Sequence, residues 1–261
     1  MGNMIKFWKF KGEKLKDKRI AIFNNFEKYF HEQIVDNYTL DKRATILDLN
    51  QTLYVKKNKA NSIVFHHESV TETISKYKEP LVLVFGSATK AGGGVVNGAT
   101  AQEEDIALKT TWYFHVKNNP EYYNIEHSSL YYTDLALYVK NGLMLTDAYD
   151  FPITPQKISL IGCAAPNLSA MKQKNKSYND KVLYRVVEKR LRSMFKFAEK
   201  EGHKTIIVGA WGCGVFGLSI ERVALAYKNV LLSECYSGNV VFSIMDKLMY
   251  DTFKYIIEKD D

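Results

Sequence analysis

Two short segments of this 261-residue chain combine residue types that can do chemistry. The first is Gly92-Gly93-Gly94, followed after seven residues by Gln102-Glu103-Glu104. Successive glycines have no Cβ and accept φ of either sign, so their backbone can pass against a ligand. Two carboxylates beside such a backbone are the material of general acid–base catalysis. Acids in the first turn of a helix also complement the helix dipole without any further role. A triple glycine placed directly after an apolar, strand-like run favours the functional reading over that structural one. The second segment spans residues 209–217, Gly-Ala-Trp-Gly-Cys-Gly-Val-Phe-Gly, with four glycines in nine positions between a strand pattern and a helix pattern. Backbone N–H groups exposed at a helix start hold anions, and by composition this loop is a diphosphate cradle.

Neither loop contains Gly-Lys-Ser/Thr, which excludes a Walker A site. Residues 212–217 do match GxGxxG, the dinucleotide fingerprint. That motif predicts further sheet and an acid about 20 residues on. Only 44 residues follow Gly217, and Asp246 falls two positions beyond the strand pattern at 240–244, so nicotinamide redox chemistry is disfavoured. Cys213 is the only thiol in either loop, and no histidine lies near it in sequence. Packing, or close approach of its backbone, suits it better than nucleophilic attack. Six histidines include the pair His66-His67 but no HExxH, and neither glycine loop holds one, so the reading calls for no metal and no cofactor.

The elements that must position these loops alternate. An amphipathic helix is expected over residues 18–34, then short strands at 45–49, 53–55 and 63–65, and a short helix over 69–77 capped by Ser69 or Thr71. Residues 81–85 (LVLVF) form a continuous apolar run of the kind buried on both faces. A small-residue loop over 86–101 leads into a helical pattern over 102–116. Residues 122–138 are rich in tyrosine, and 135–139 read as an edge strand. Strands at 158–161, 205–208 and 240–244 alternate with a long amphipathic helix capped by Asn179, with Leu183, Val187, Leu191, Met194 and Ala198 on one face, and with helices at 219–232 and 246–257. This alternation predicts an α/β fold with a mainly parallel sheet flanked by helices. No linker interrupts it, which gives one domain over 1–261 with an N-terminal helical elaboration to about residue 40.

The chain is 46% hydrophobic and 25% charged, which excludes intrinsic disorder. No apolar run reaches the roughly 20 residues of a membrane span. The lysine-rich start lacks an apolar signal core, and Cys163, Cys213 and Cys235 form no CxxC pair, so reduced thiols in an intracellular protein are expected. The net charge of +7 favours anionic partners in general. The lysines of the first twenty residues are read as a solvated face rather than a nucleic-acid arm.

Together the two loops resemble the microbial type of poly(ADP-ribose) glycohydrolase, a macrodomain-fold family marked by GGG followed by QEE. GAWGCGVF at 209–216 is similar, almost letter for letter, to the family's diphosphate-binding loop. Ala164-Ala165-Pro166-Asn167 and the segment 240–246 are also similar to family positions. The resemblance extends from about residue 80 and is weaker before it. It implies a macrodomain-like sheet, Glu104 as catalytic acid/base and Glu103 holding a ribose hydroxyl. Gly92, Gly93 and Gly94, with Gln102, would shape the distal-ribose and diphosphate pocket. Gly212, Cys213, Gly214, Val215 and Phe216 would wrap the other side of the diphosphate, with Phe216 covering a ribose.

The implied reaction is hydrolysis of ribose–ribose O-glycosidic bonds in poly(ADP-ribose) or a related conjugate, with Glu104 acting as an acid mainly once substrate is bound. The alternative is a macrodomain that binds ADP-ribose without turnover. The Gln-Glu-Glu triplet separates the two, because a reader does not need two carboxylates beside the ribose. The expected partner is ADP-ribose polymer or an ADP-ribosylated macromolecule, met by a monomer, while nucleic acid rests on net charge alone. Three departures from the family pattern stand out: Val84 for asparagine, Ala91 for proline, and Leu218-Ser219-Ile220 for an acidic-proline sequence. Loss of the asparagine removes a ribose hydrogen bond of about 0.5–1.5 kcal/mol.

Overall fold

Every residue of the Leu81–Val84 strand is buried. Its two leucines pack into one apolar layer and its two valines into the other. This strand lies mid-sheet, as an apolar run without alternation requires. The computed structural model describes residues 15–35, 38, 40–123, 134–146 and 154–259. Its seven strands, β1 (Thr45–Asp48), β2 (Ser62–His66), β3 (Leu81–Val84), β4 (Leu135–Met144), β5 (Gln156–Gly162), β6 (Thr205–Val208) and β7 (Asn239–Ser243), form one sheet. The order is β1-β4-β5-β3-β6-β7-β2, with β4 antiparallel to both its neighbours and the other pairings parallel. The sheet is mainly parallel, as expected.

Helices cover both faces. One layer includes α6 (Asp180–Lys200), α7 (Ile220–Leu232) and α8 (Lys247–Glu258), packed on the sheet through Leu183, Val187, Leu191, Val223, Tyr227 and Phe253. The other holds α1 (Leu15–Tyr29), α2 (Val70–Ile74), α3 (Gln102–Lys109) and α4 (Trp112–Val116). Beyond β5, Asn167 caps α5 (Leu168–Gln173), a helix that no sequence signal announced. The N-terminal helix continues into a π-helical turn at Phe30–Ile34, where Phe30 stacks on Phe114 of α4 with ring centroids 3.5 Å apart. Ser69 caps α2 in a reciprocal box with Glu72. Among the described residues no helix is long and apolar enough to cross a membrane.

Three expectations need correction. Residues 53–55 form no strand. The segment at 135–139 is not an edge: it belongs to a ten-residue strand paired on both sides, and β1 takes the edge instead. The helical pattern over 102–116 is two helices, because Thr110 adopts extended backbone and bridges Met144. Thr111 then exchanges hydrogen bonds with Leu143, its N–H donating to the carbonyl and its Oγ1 accepting from the Leu143 N–H, both at 2.9 Å. Two β-branched residues satisfying strand partners outcompete the helix there. The lysines at 6–14 and residues 124–133 of the tyrosine-rich stretch lie outside the described residues.

Gly162, which ends β5, sits against the Trp112 ring, where a Cβ would collide with Cζ2 and Cη2. Gly162→Ala is expected to destabilise the fold by about 1–3 kcal/mol through overpacking. Urea unfolding of the variant checks this, with an unchanged midpoint counting against it.

Candidate active site

Glu103 and Glu104 open α3, and both are buried, at 3% and 7% exposure. A buried carboxylate needs compensating donors, and here the neighbouring backbone supplies most of them. The Ser87 N–H donates to Glu103 Oε2 at 2.7 Å, and the Trp112 indole donates to Oε1 at 3.2 Å. The Gly94 N–H donates to Glu104 Oε1 at 2.7 Å. The second oxygen of Glu104, Oε2, is buried with no hydrogen-bond partner. The two carboxyl groups therefore differ: one is tied at both oxygens and the other keeps one oxygen open.

The triple glycine makes this possible. Gly92 and Gly93 have φ of +63° and +62°, and a Cβ on Gly93 would run into Glu104 Oε1. Positive φ and close approach both exclude a larger residue. The first loop is braced at its far end by α1, where Arg19 Nε donates to the Ala99 carbonyl at 2.8 Å. Gln102 reaches back to the end of β3, accepting from the Phe85 N–H and donating to the Leu83 carbonyl, both at 2.8 Å. Its amide ties strand to helix. Val84 points into the apolar core and is fully buried.

Burial, assisted by the charge of Glu104, pushes the Glu103 carboxyl up to about 8 against the pull of its three hydrogen-bond donors, Trp112, Ser87 and Gly92. Cys213 is buried and its thiol is pushed up to about 12 by desolvation, which removes a thiolate nucleophile at neutral pH. Among the described residues no group of three or more His, Cys, Asp or Glu is placed to hold a metal ion.

A cleft of about 740 Å³ lies at the carboxyl ends of the parallel strands. Gln102 and Phe85 border it on one side, and Gly212, Gly214, Val215 and Phe216 of the second loop on another. The second glycine loop meets the end of the first, Thr100 to Gln102, at this cleft, whereas Gly92, Gly93, Gly94, Glu103, Glu104 and Cys213 do not line it. Gly212 has φ +80°, and its Cβ would meet Ala165 at 2.7 Å. Gly214 is exposed, with open space where its Cβ would stand. Phe216 packs on Ala88 and Ala164, and its carbonyl accepts from the Ser169 N–H at 3.1 Å.

Sequence reasoning missed several participants. Ser87 and Trp112 hold Glu103, yet neither lies in a recognisable motif. Arg19, Asp105 and Lys109 line the cleft. Lys109 is almost fully enclosed and donates to Thr71 Oγ1 at 2.9 Å and to Asp105 at 3.2 Å. Spacing on α3 pairs Asp105 with Lys109, but only the fold brings Thr71 to them.

Residues 17–146 match the family model described as microbial-type PARG, catalytic domain, where PARG denotes poly(ADP-ribose) glycohydrolase. The structure is similar to that of poly(ADP-ribose) glycohydrolase from Thermomonospora curvata, with a TM-score of 0.78 and 21% identity over 92% of this chain and 99% of that one. The same enzyme bound to the inhibitor ADP-HPD aligns with a TM-score of 0.75 and 21% identity over 91% and 98% of the two chains. The Deinococcus radiodurans glycohydrolase in complex with ADP-ribose aligns with a TM-score of 0.69 and 20% identity over 93% and 92%. No match was found among curated protein sequences.

Because the folded state holds a proton on Glu103 that the unfolded chain releases above about pH 4.5, stability is lost as pH rises from there to about 8. Glu103→Gln removes this dependence. The unfolding free energy of wild type minus that of the variant is expected to fall between pH 5 and pH 8, by on the order of 1 kcal/mol per pH unit. Chemical denaturation at several pH values measures it, and a flat difference would contradict the buried-acid assignment.

Proposed function

Since the chain belongs to the microbial-type poly(ADP-ribose) glycohydrolase family, we propose that it hydrolyses ribose–ribose O-glycosidic bonds in ADP-ribose polymer or a closely related conjugate and releases ADP-ribose. The observation that carries this reading is the open oxygen of Glu104, a buried carboxylate atom without a partner beside the triple glycine. A group meant only to stabilise the helix start would have both oxygens satisfied or solvated.

Glu104 acts as acid and then as base. Its Oε2 gives a proton to the leaving ribose oxygen as the C–O bond breaks, and the sugar carbon takes on oxocarbenium character. Water adds to that carbon, and Glu104 recovers the proton from it. The product is ADP-ribose with a free anomeric hydroxyl. The Gly94 N–H fixes the orientation of the carboxyl group throughout. Glu103, tied by Ser87 and Trp112, has the rigidity needed to position a ribose hydroxyl rather than to shuttle a proton. The second loop presents its backbone to the diphosphate, whose negative charge lies near the developing positive carbon. Phe216, half-buried on Ala88 and Ala164, offers a ring face to a ribose.

Two variants separate chemistry from binding. Glu104→Gln is expected to lower kcat by about 10² to 10⁴ while ADP-ribose affinity changes little. Release of ADP-ribose from polymer reads the rate. Equal, slow release by wild type and variant from polymer and from mono-ADP-ribosylated protein would make the protein a binder instead. Gly214→Val, at a position with room for a side chain, is expected to weaken ADP-ribose binding by about tenfold, or 1.4 kcal/mol, in calorimetric titration. Unchanged affinity in the folded variant would remove this loop from the site.

A further inference from the structure

One stretch of this chain carries a net charge equal to that of the whole. Residues 172–200 contain ten Lys and Arg against three Asp and Glu, a net +7 that equals the charge of the whole protein. The remaining residues carry twenty-six of each sign and cancel. On α6 the cations Lys181, Arg185, Lys189, Arg192, Lys196 and Lys200 recur at intervals of three or four. Such spacing keeps them within roughly a 100° arc over about 28 Å of helix, opposite the buried face of Leu183, Val187, Leu191, Met194 and Ala198.

Two cations of this stripe are paired, Arg192 with Glu188 and Lys189 with Asp134, which leaves Lys181, Arg185, Lys196 and Lys200 to carry its charge. Asp180 accepts from Arg222, Glu188 is shared between Arg192 and Asn229, and Glu199 accepts from Ser237. Just before α6, Lys172, Lys174 and Lys176 are exposed beside Tyr178, itself 37% exposed, and no acid occurs between Leu168 and Asn179. Cations interleaved with an accessible aromatic ring are the composition that tracks a phosphodiester or diphosphate chain carrying bases.

This face is continuous with the cleft. Ala165, which lines the cleft, leads into α5, and Ser169 of α5 donates to the carbonyl of Phe216. Lys172 follows one helical turn later. Tyr184 of α6 also accepts from the Ser219 N–H at the end of the second loop.

We propose that the surface formed by residues 172–178 and the outer stripe of α6 is a second, electrostatic docking track for the polyanionic remainder of an ADP-ribose polymer whose terminal unit occupies the cleft, an inference that rests on the substrate reading above. Each polymer unit brings a diphosphate, so a linear array of cations gains one contact after another along it. A single ADP-ribose reaches none of them. Affinity therefore rises with polymer length and falls with salt, while affinity for the monomer does neither.

The test compares K172E/K174E/K176E with the unreversed chain, both in a Glu104→Gln background so that polymer survives. Fluorescence anisotropy reads binding of labelled ADP-ribose polymer, and calorimetry reads binding of ADP-ribose. Charge reversal is expected to weaken polymer binding by about tenfold at low salt and to make the salt slope shallower by about 2, the release expected for three lost phosphate contacts. Affinity for ADP-ribose is expected to stay unchanged. Equal polymer affinity in both proteins, or polymer bound no tighter than ADP-ribose, overturns the track while leaving the cleft assignment standing. Loss confined to a single-stranded RNA probe, with polymer unaffected, also overturns it and assigns the face to nucleic acid. Failure to bind ADP-ribose at all overturns the site reading and the track with it.

Discussion

Two neighbouring carboxyl groups taken out of water at the start of one helix are the constraint around which this molecule is arranged. Burial alone disfavours an ionised carboxylate by several kcal/mol. The protein offsets part of that cost with dipoles, the N–H groups of Ser87 and Gly94 and the indole of Trp112, and at Glu103 burial still prevails, so that the group keeps its proton. Dipoles stabilise an ionised or polar carboxyl group without locking it into an ion pair. A lysine or arginine in the same place would hold the carboxylates ionised and make the proton hard to keep.

Much else follows from supplying those dipoles. Gly92 and Gly93 take left-handed backbone so that the loop can turn its N–H groups inward, and neither leaves room for a side chain. Trp112 reaches Glu103 because the helix pattern breaks at Thr110 and starts again, and because Gly162 leaves space for the ring. Gln102 holds α3 to the end of β3, so the glutamates move only if the central strand moves. Arg19 fastens α1 across the exit of the same loop. The N-terminal helix is thus part of the site's support and not an appendage to the sheet.

The sequence made the skeleton legible where local chemistry and burial agreed. Leu81–Val84 announced a strand buried on both faces, Asn179 announced a cap, and the second glycine loop announced a strand end that lines the cleft. It misled where tertiary partners overrode local pattern. Apolar spacing runs unbroken from Gln102 to Val116, yet Thr110 and Thr111 have strand partners about thirty residues away. The residues at 135–139 look like a short edge because nothing local reveals that β1, ninety residues earlier in the chain, returns to pair with them. The roles of Trp112 and Ser87 were hidden for the same reason: hydrogen bonds across sixteen and nine residues, through a turn and a helix break, leave no periodic trace.

The contact between Trp112 and Glu103 carries a spectroscopic consequence. An indole whose N–H is hydrogen-bonded to a titrating acid feels a full change of local field when that acid ionises. Trp112 is 1% exposed, so solvent does not mask the effect. The ring is therefore an intrinsic optical reporter positioned against Glu103. Its emission is set to follow the ionisation of Glu103, without any label attached to the protein.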